Sequence, residues 1–271
     1  MKKFLLVTLI SVCITSAVKA QTFKIFSENK NQGYVIFCSN AEFYPMSISL
    51  DLDITNLGFS EGEKKVFVIP PKSEKFKIGE LTIKENGSKY KFSYKYQSAI
   101  GDVTKTDYDR SFEYDLPFQK GKSYMVNQGY NGNFSHQNEN AIDFTMPEGA
   151  EVLAARDGII VQVVQNNTEA CLKEECKKYN NYISIMHVDG TFAYYAHIKY
   201  NSSKYKLGDV VKRGDVIAYS GNVGWTSAPH LHFMCLTSSF EKWNSIETKF
   251  RINKGDKAVT LKEGITYLRD Y

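Results

Sequence analysis

The sequence is short of several residue types that would otherwise direct its reading. It has two tryptophans, six prolines, five cysteines and five histidines in 271 residues, and no histidine precedes position 136. Beyond the first twenty residues no apolar run approaches the roughly 20 residues that a membrane-spanning helix needs, so no second spanning segment is expected. No helical period is sustained for ten residues, which excludes helical bundles and coiled coils. Internal repeats and low-complexity tracts are absent. An excess of one charge is lacking too. Discounting Lys2, Lys3 and Lys19 of the leader brings the 34 Lys and Arg down to 31, against 30 Asp and Glu. No basic stripe remains to attract nucleic acid or an anionic membrane.

The first twenty residues read as a secretory signal. Lys2 and Lys3 precede an apolar stretch from Phe4 to Val18, and Val18-Lys19-Ala20 offers small residues before a cut after Ala20. Val12 is too large for lipoprotein processing at Cys13. The mature chain is therefore expected to be exported, to the periplasm or beyond, where disulfides are permitted. Cys171 and Cys176 flank the polar Leu-Lys-Glu-Glu segment. A local bridge is expected there rather than half of a structural zinc site, because no second close cysteine pair exists. Cys38 and Cys235 lie in apolar segments and read as buried thiols.

An all-β fold is expected. Met46–Ile54 alternates apolar and polar residues, the pattern of a strand with one buried face. Gly33–Cys38, Lys65–Ile69, Phe76–Ile83 and Tyr90–Tyr96 are further strand candidates, punctuated by Pro70-Pro71 and Asn86-Gly87. The short strands of residues 21–120 predict a sandwich-like accessory domain, for targeting, positioning or groove blocking. A boundary falls near Pro117–Lys122, and an Asn/Gly/Tyr-rich loop runs from Ser123 to Asn140. A second compact, antiparallel-sheet domain is expected over 121–240. Its strand candidates are Glu151–Ala155, Gly158–Gln165, Asn181–Val188, Thr191–His197, Val216–Tyr219 and His230–Leu236. Asp189-Gly190 between two apolar runs predicts a hairpin. Residues 241–271 read as one or two closing strands.

The chemistry lies with the histidines. In His230-Leu231-His232 on a strand, both imidazoles point to one side and Leu231 to the other. Alone this is a weak signal. Asp143 sits in Ala141-Ile142-Asp143-Phe144, where a carboxylate is costly to bury unless it is paired or coordinates a metal, or else caps the following turn. Together His136, Asp143 and His232 offer two nitrogens and one carboxylate oxygen, the composition of a catalytic zinc site with a position left for water. His197, after Tyr194-Tyr195-Ala196, either contacts an attacking water or a developing oxyanion, or is a core histidine. His187, before the Asp189-Gly190 turn, reads as structural.

Three ordered blocks carry a family resemblance. The first is Ser135-His136, Ala141–Phe144, Met146–Val152 and Ala154–Gly158. The second runs from Asn181-Tyr182-Ile183 through His187–Gly190 to Tyr195-Ala196-His197. The third joins Gly208–Asp215, Ser220–Gly224 and Ala228–Phe233. From about Gly129 to Leu236 the chain resembles the lysostaphin-type (LytM-like) zinc endopeptidases that cut peptidoglycan cross-bridges. The resemblance implies zinc held by His136, Asp143 and His232, catalytic assistance from His197 and His230, and a groove in a compact antiparallel fold. All five positions are filled. One feature departs from the family pattern: six residues separate His136 from Asp143, where the family places three. Either the loop bulges and still delivers His136, since lengthening a loop costs little, or Glu139 takes its place, or the site binds metal weakly. The expected activity is hydrolysis of peptidoglycan amide bonds. The competing readings are a non-catalytic secreted scaffold and a zinc peptidase acting on proteins.

Overall fold

The computed structural model describes residues 22–271. The signal sequence expected over 1–20 lies outside the described residues. Their regular secondary structure is almost entirely strand, with a single 3-10 turn at Glu174–Tyr179. Among them no helix is long and apolar enough to cross a membrane.

Residues 22–100 form two antiparallel sheets. One has the order Phe23–Lys30, Gly33–Asn40, Ser73–Ile83, Leu57–Phe59; the other places Met46–Thr55 between Val66–Ile69 and Lys91–Ile100. Ile36, Cys38, Ile78 and Leu81 of the first sheet share a core with Ile48, Leu50, Phe67 and Ile69 of the second. The alternation read in Met46–Ile54 is explained by that contact, since Ile48 and Leu50 are buried while Asp51 and Asp53 face solvent. Burying each such side chain contributes roughly 1.5–3 kcal/mol.

A nine-stranded sheet dominates the remainder. Its main path is Val210–Val211, Gly158–Val164, Tyr182–Met186, Phe192–Ala196, Leu231–Thr237, Ala141–Phe144, Ser123–Gln128 and Thr266–Leu268, with Asn244–Ile246 paired to Leu231–Thr237. The hairpin read at Asp189-Gly190 joins Tyr182–Met186 to Phe192–Ala196. Gly190 takes φ +85°, and Asp189 Oδ1 accepts from the Thr191 amide and hydroxyl. The closing segment is more finely divided than expected. Four short strands follow residue 241, and the last, Thr266–Leu268, returns to the sheet edge beside Ser123–Gln128.

Strand alternation gives this sheet two distinct faces. Leu231, Phe233 and Cys235 point one way, with Ile142, Phe144, Ala193 and Tyr195, into a fully apolar core. His232, Met234 and Leu236 point the other way, beside Asp143 and Tyr194. Further along that second face, Phe192 and Leu236 are buried against the core of the amino-terminal sheets, with Val161 from the neighbouring Gly158–Val164 strand. One end of the histidine-bearing face is therefore covered by the amino-terminal sheets, and the other end is left open.

Candidate metal centre

Asp143 and His232 are direct cross-strand partners, so the pairing that aligns Ile142 with Phe233 in the core also sets carboxylate and imidazole side by side on the opposite face. His232 Nδ1 lies 2.9 Å from Asp143 Oδ1. His136 arrives from the Asn/Gly loop, with Nε2 3.3 Å from Asp143 Oδ1 and 3.2 Å from His232 Nδ1. The six-residue spacing is absorbed in a turn, in which the Glu139 amide donates to the His136 carbonyl and Asn138 takes φ +61°. Glu139 lines the groove but is outside the cluster of His136, Asp143 and His232, whose ligand atoms all lie within 4.8 Å of one another.

These three groups have the chemistry of a cation site. His136 Nδ1 faces the Gly129 carbonyl at 3.1 Å and must donate to it, which leaves the Nε2 lone pair aimed at the cluster. Two imidazole nitrogens and a carboxylate oxygen at about 3 Å cannot all present lone pairs to one another; protons or a cation must lie between them. Burial would push the Asp143 carboxyl up, yet hydrogen bonds from His136 and His232 outweigh it and hold the carboxyl well below the usual carboxylate range. Burial likewise opposes charging His136, and Asp143 outweighs it, raising the imidazole above its ordinary value. The cluster therefore favours positive charge at its centre. Ligand bonds of about 2.0–2.1 Å in a tetrahedron place donors about 3.3 Å apart, close to the separations here.

Gln128 was not singled out from the sequence and holds the arrangement together. Its Nε2 donates to Asp143 Oδ2 at 3.1 Å and to Ser135 Oγ at 2.8 Å, and its Oε1 accepts from the Phe134 and Ser135 amides. One amide side chain thus ties the His136 loop to the carboxylate. A glutamine at a strand end has no sequence signature that distinguishes it from an exposed one.

His197 and His230 sit beside this cluster, with ring centroids 4.5 Å apart. His197 Nδ1 donates to the Val223 carbonyl at 2.7 Å, and His230 Nδ1 to the Ala228 carbonyl at 2.8 Å. Both rings therefore keep Nε2 as the free acceptor, and His230 Nε2 is 3.8 Å from Asp143 Oδ1. Burial, reinforced by His230 and His232, lowers the His197 pKa to about 3. Burial also lowers that of His230. His197 adopts φ +61°, a backbone state uncommon outside glycine. Ser220–Gly221 runs between the two, pairing Ser220 with Ile198 and Gly221 with His230. Gly221 is required there, because a Cβ would come within 2.7 Å of the Lys199 amide nitrogen.

The remaining motif residues serve the frame. His187 is buried away from the cluster and donates from Nδ1 to the Asp157 carbonyl. Asp157 accepts from the Arg213 amide, while Asp209 and Asp215 accept from the Lys206 and Lys212 amides and close the Gly208 and Gly214 turns. Cys171 and Cys176 form the expected disulfide. Cys38 and Cys235 are free and buried, and burial pushes both thiols up to about 12.

Asp143 and His232 line a groove of about 960 Å³, while His136 is fully buried beside them. Phe134, Leu172 and Trp225 line it together with Glu139 and Glu263, and His197, His230 and His232 border it.

Comparison with known proteins shows what this part of the chain is similar to. Residues 137–244 match the model described as Peptidase family M23, a span that contains Asp143, His197, His230 and His232. The glycyl-glycine endopeptidase ALE-1 of Staphylococcus capitis is 36% identical over 126 residues, covering 45% of this chain and 30% of its own. The peptidoglycan DD-endopeptidase ShyA of Vibrio cholerae is 34% identical over 94 residues, 35% of this chain and 19% of its own. The chain thus spans less than a third of the length of these relatives. The solved catalytic domain of lysostaphin from Staphylococcus simulans aligns with 51% of this chain and 87% of that domain, at 26% identity and a TM-score of 0.33. Residues 137–244 therefore match peptidase family M23, and this part of the chain is similar to lysostaphin-type metallopeptidases.

Proposed function

We propose that this protein is an exported zinc endopeptidase that hydrolyses amide bonds of peptidoglycan, in cross-bridges or stem peptides. The observation that carries this reading is the convergence of His136, Asp143 and His232 within 4.8 Å, with Asp143 and His232 lining a groove, beside two histidines with free Nε2 atoms. Export rests on the leader-like residues 1–20 and agrees with the disulfide at Cys171–Cys176.

His136 Nε2, Asp143 Oδ1 and His232 Nδ1 are the proposed zinc ligands. Bound there, zinc supplies positive charge that makes a water acidic near neutral pH and polarises the scissile carbonyl. Gln128 and the Gly129 carbonyl fix the orientation of Asp143 and His136, the supporting role that outer hydrogen bonds play around metal ligands. His197 and His230 have pKa values below the ordinary imidazole value, so both stand neutral near pH 7. One accepts a proton of the attacking water at Nε2, donates to the oxyanion from the imidazolium so formed, and then passes that proton to the leaving amine; the other takes up the second proton of the water at Nε2 as the tetrahedral adduct collapses to carboxylate. Their Nδ1–H bonds to backbone carbonyls hold each ring in the tautomer this requires.

Peptidoglycan zymography with His232→Ala tests the reading. The expected result is loss of clearing, by about a thousandfold or more, at unchanged folding. Undiminished clearing by the folded variant contradicts it. Release of fragments from protein substrates but not from purified wall supports the protein-directed alternative.

A further inference from the structure

Among the exposed large apolar side chains, Phe134 and Leu172 are each 68% exposed and both line the groove. Trp225 stands between them. Its ring centroid is 5.9 Å from that of Phe134, and its indole N–H donates to the Leu172 carbonyl at 3.1 Å. Apolar surface left in water is costly unless something covers it. Nothing in the core needs these three side chains, and the frame beneath them is built with care.

That frame is the disulfide-closed segment. Ala170–Cys171 pairs in parallel with Gly224–Trp225, and the Thr226 amide donates to the Cys171 carbonyl. Asn180 Oδ1 accepts from the Trp225 amide at 3.1 Å. It fits only because residue 224 is glycine, since a Cβ there would come within 1.7 Å of that oxygen. The Cys171–Cys176 bond closes the loop from which Leu172 projects. Lys177 follows at once, with Nζ 4.8 Å from the Trp225 ring centroid, and among the described residues lining the groove it is the one Lys or Arg. Its partner Glu174 is exposed, so the ammonium remains exchangeable. Glu139 and Glu263 also line the groove and supply negative charge.

We propose that Phe134, Leu172 and Trp225, with Lys177 beside them, form a specificity-determining wall that binds the side chains of an alanine-containing, carboxylate-bearing stem peptide. This inference rests on the peptidase reading above. An oligoglycine bridge has no side chain for the apolar wall and no carboxylate along its length for Lys177. A stem peptide carries alanine methyls, an acidic residue and a diamino acid whose amine suits Glu139 and Glu263. The Cys171–Cys176 loop acts as a positioning element for the wall, not as part of the reacting centre.

The test compares two probes with the zinc-loaded full chain: a synthetic L-Ala-D-Glu-diamino acid-D-Ala stem peptide in cross-linked form, and a glycine-only peptide of equal length. The stem peptide is expected to be preferred in kcat/KM. Phe134→Ala, at an exposed position, is expected to raise KM for it about tenfold and to narrow the preference for the stem peptide over the glycine peptide in kcat/KM. Phe134→Tyr is expected to restore the wild-type KM. Binding gives a readout apart from hydrolysis. In a Trp243→Phe background Trp225 is the remaining tryptophan, and the stem peptide is expected to shift its fluorescence with an affinity weakened by Phe134→Ala. Preferential cleavage of the glycine peptide, or equal KM in wild type and Phe134→Ala, overturns the inference and leaves the peptidase reading standing. Phe134-dependent binding of the stem peptide without cleavage of either probe upholds the wall and removes the peptidase reading. Absence of both binding and cleavage overturns the two together.

Discussion

The amino-terminal sheets and the nine-stranded sheet are built by the same rules and treat buried polar groups in opposite ways. In the amino-terminal sheets Asn40 is fully buried, and its amide donates to the carbonyls of Tyr44, Ile69 and Pro70. Ser47 donates to the Gly101 carbonyl. Each buried polar side chain there meets backbone groups that need it, and the result is pinned turns. On the histidine face Asp143, His136 and His232 meet one another, acceptor against acceptor. Of the three, His136 alone reaches the backbone, through Nδ1 to the Gly129 carbonyl, and only a proton or a cation completes the set. Both regions bury polar atoms at comparable depth. The difference is whether the partners saturate one another, and that marks the chemistry more clearly than burial does.

The two regions are also one packing unit. Val161, Phe192 and Leu236 of the large sheet lie in the amino-terminal core, so Phe192→Ala is expected to cost about 3–5 kcal/mol of stability across both regions in a single transition. Urea denaturation checks this; two separate transitions, with only one shifted, would break the picture of a shared core. The same contact predicts that a chain beginning at Lys122, stripped of its cover over Phe192 and Leu236, loses solubility rather than cutting faster.

His187 supplies the next largest effect. Its imidazole is buried, its Nε2 has no hydrogen-bond partner, and burial lowers its pKa to about 4. The unfolded chain binds this proton near pH 6.5 and the folded chain only near 4. The stabilisation of the neutral form is therefore complete above 6.5 and is lost as pH falls toward 4, by up to about 3 kcal/mol. His187→Gln is expected to flatten the pH dependence of unfolding in that window; an unchanged slope would contradict the assignment.

A matched pair of substitutions sharpens the contrast between the regions. Asn40→Ala is expected to cost about 1–3 kcal/mol of stability, by leaving buried carbonyls unpaired, with no change in specific activity. Gln128→Ala is expected to lower activity and metal affinity about 10–100-fold with a smaller loss of stability. Thermal unfolding and metal titration on both variants decide between them, and a reversal of the two patterns would undo the distinction.

The strands of both regions were legible because period-2 alternation marks a sheet with two unlike faces, as in Met46–Ile54 and His230–Leu236. The hairpin at Asp189-Gly190 followed from turn chemistry. The disulfide followed from short spacing in a polar loop. Three features were not legible. Gln128 has a role that comes from three-dimensional convergence on Ser135 and Asp143, not from any local pattern. The covering of Phe192 and Leu236 depends on how two sheets meet, which alternation does not encode. The closing segment divides into strands such as Lys257–Val259 and Thr266–Leu268, too short to show a period. The six-residue spacing between His136 and Asp143 was visible, but its harmless outcome depends on the turn at Asn138-Glu139.

Calorimetric titration of zinc into the metal-free full chain tests the central claim most directly. The account predicts one zinc per chain, with affinity falling about a hundredfold or more in each of His136→Ala, Asp143→Asn and His232→Ala. Binding that these substitutions leave unchanged, or no stoichiometric binding by the wild-type chain, would contradict it.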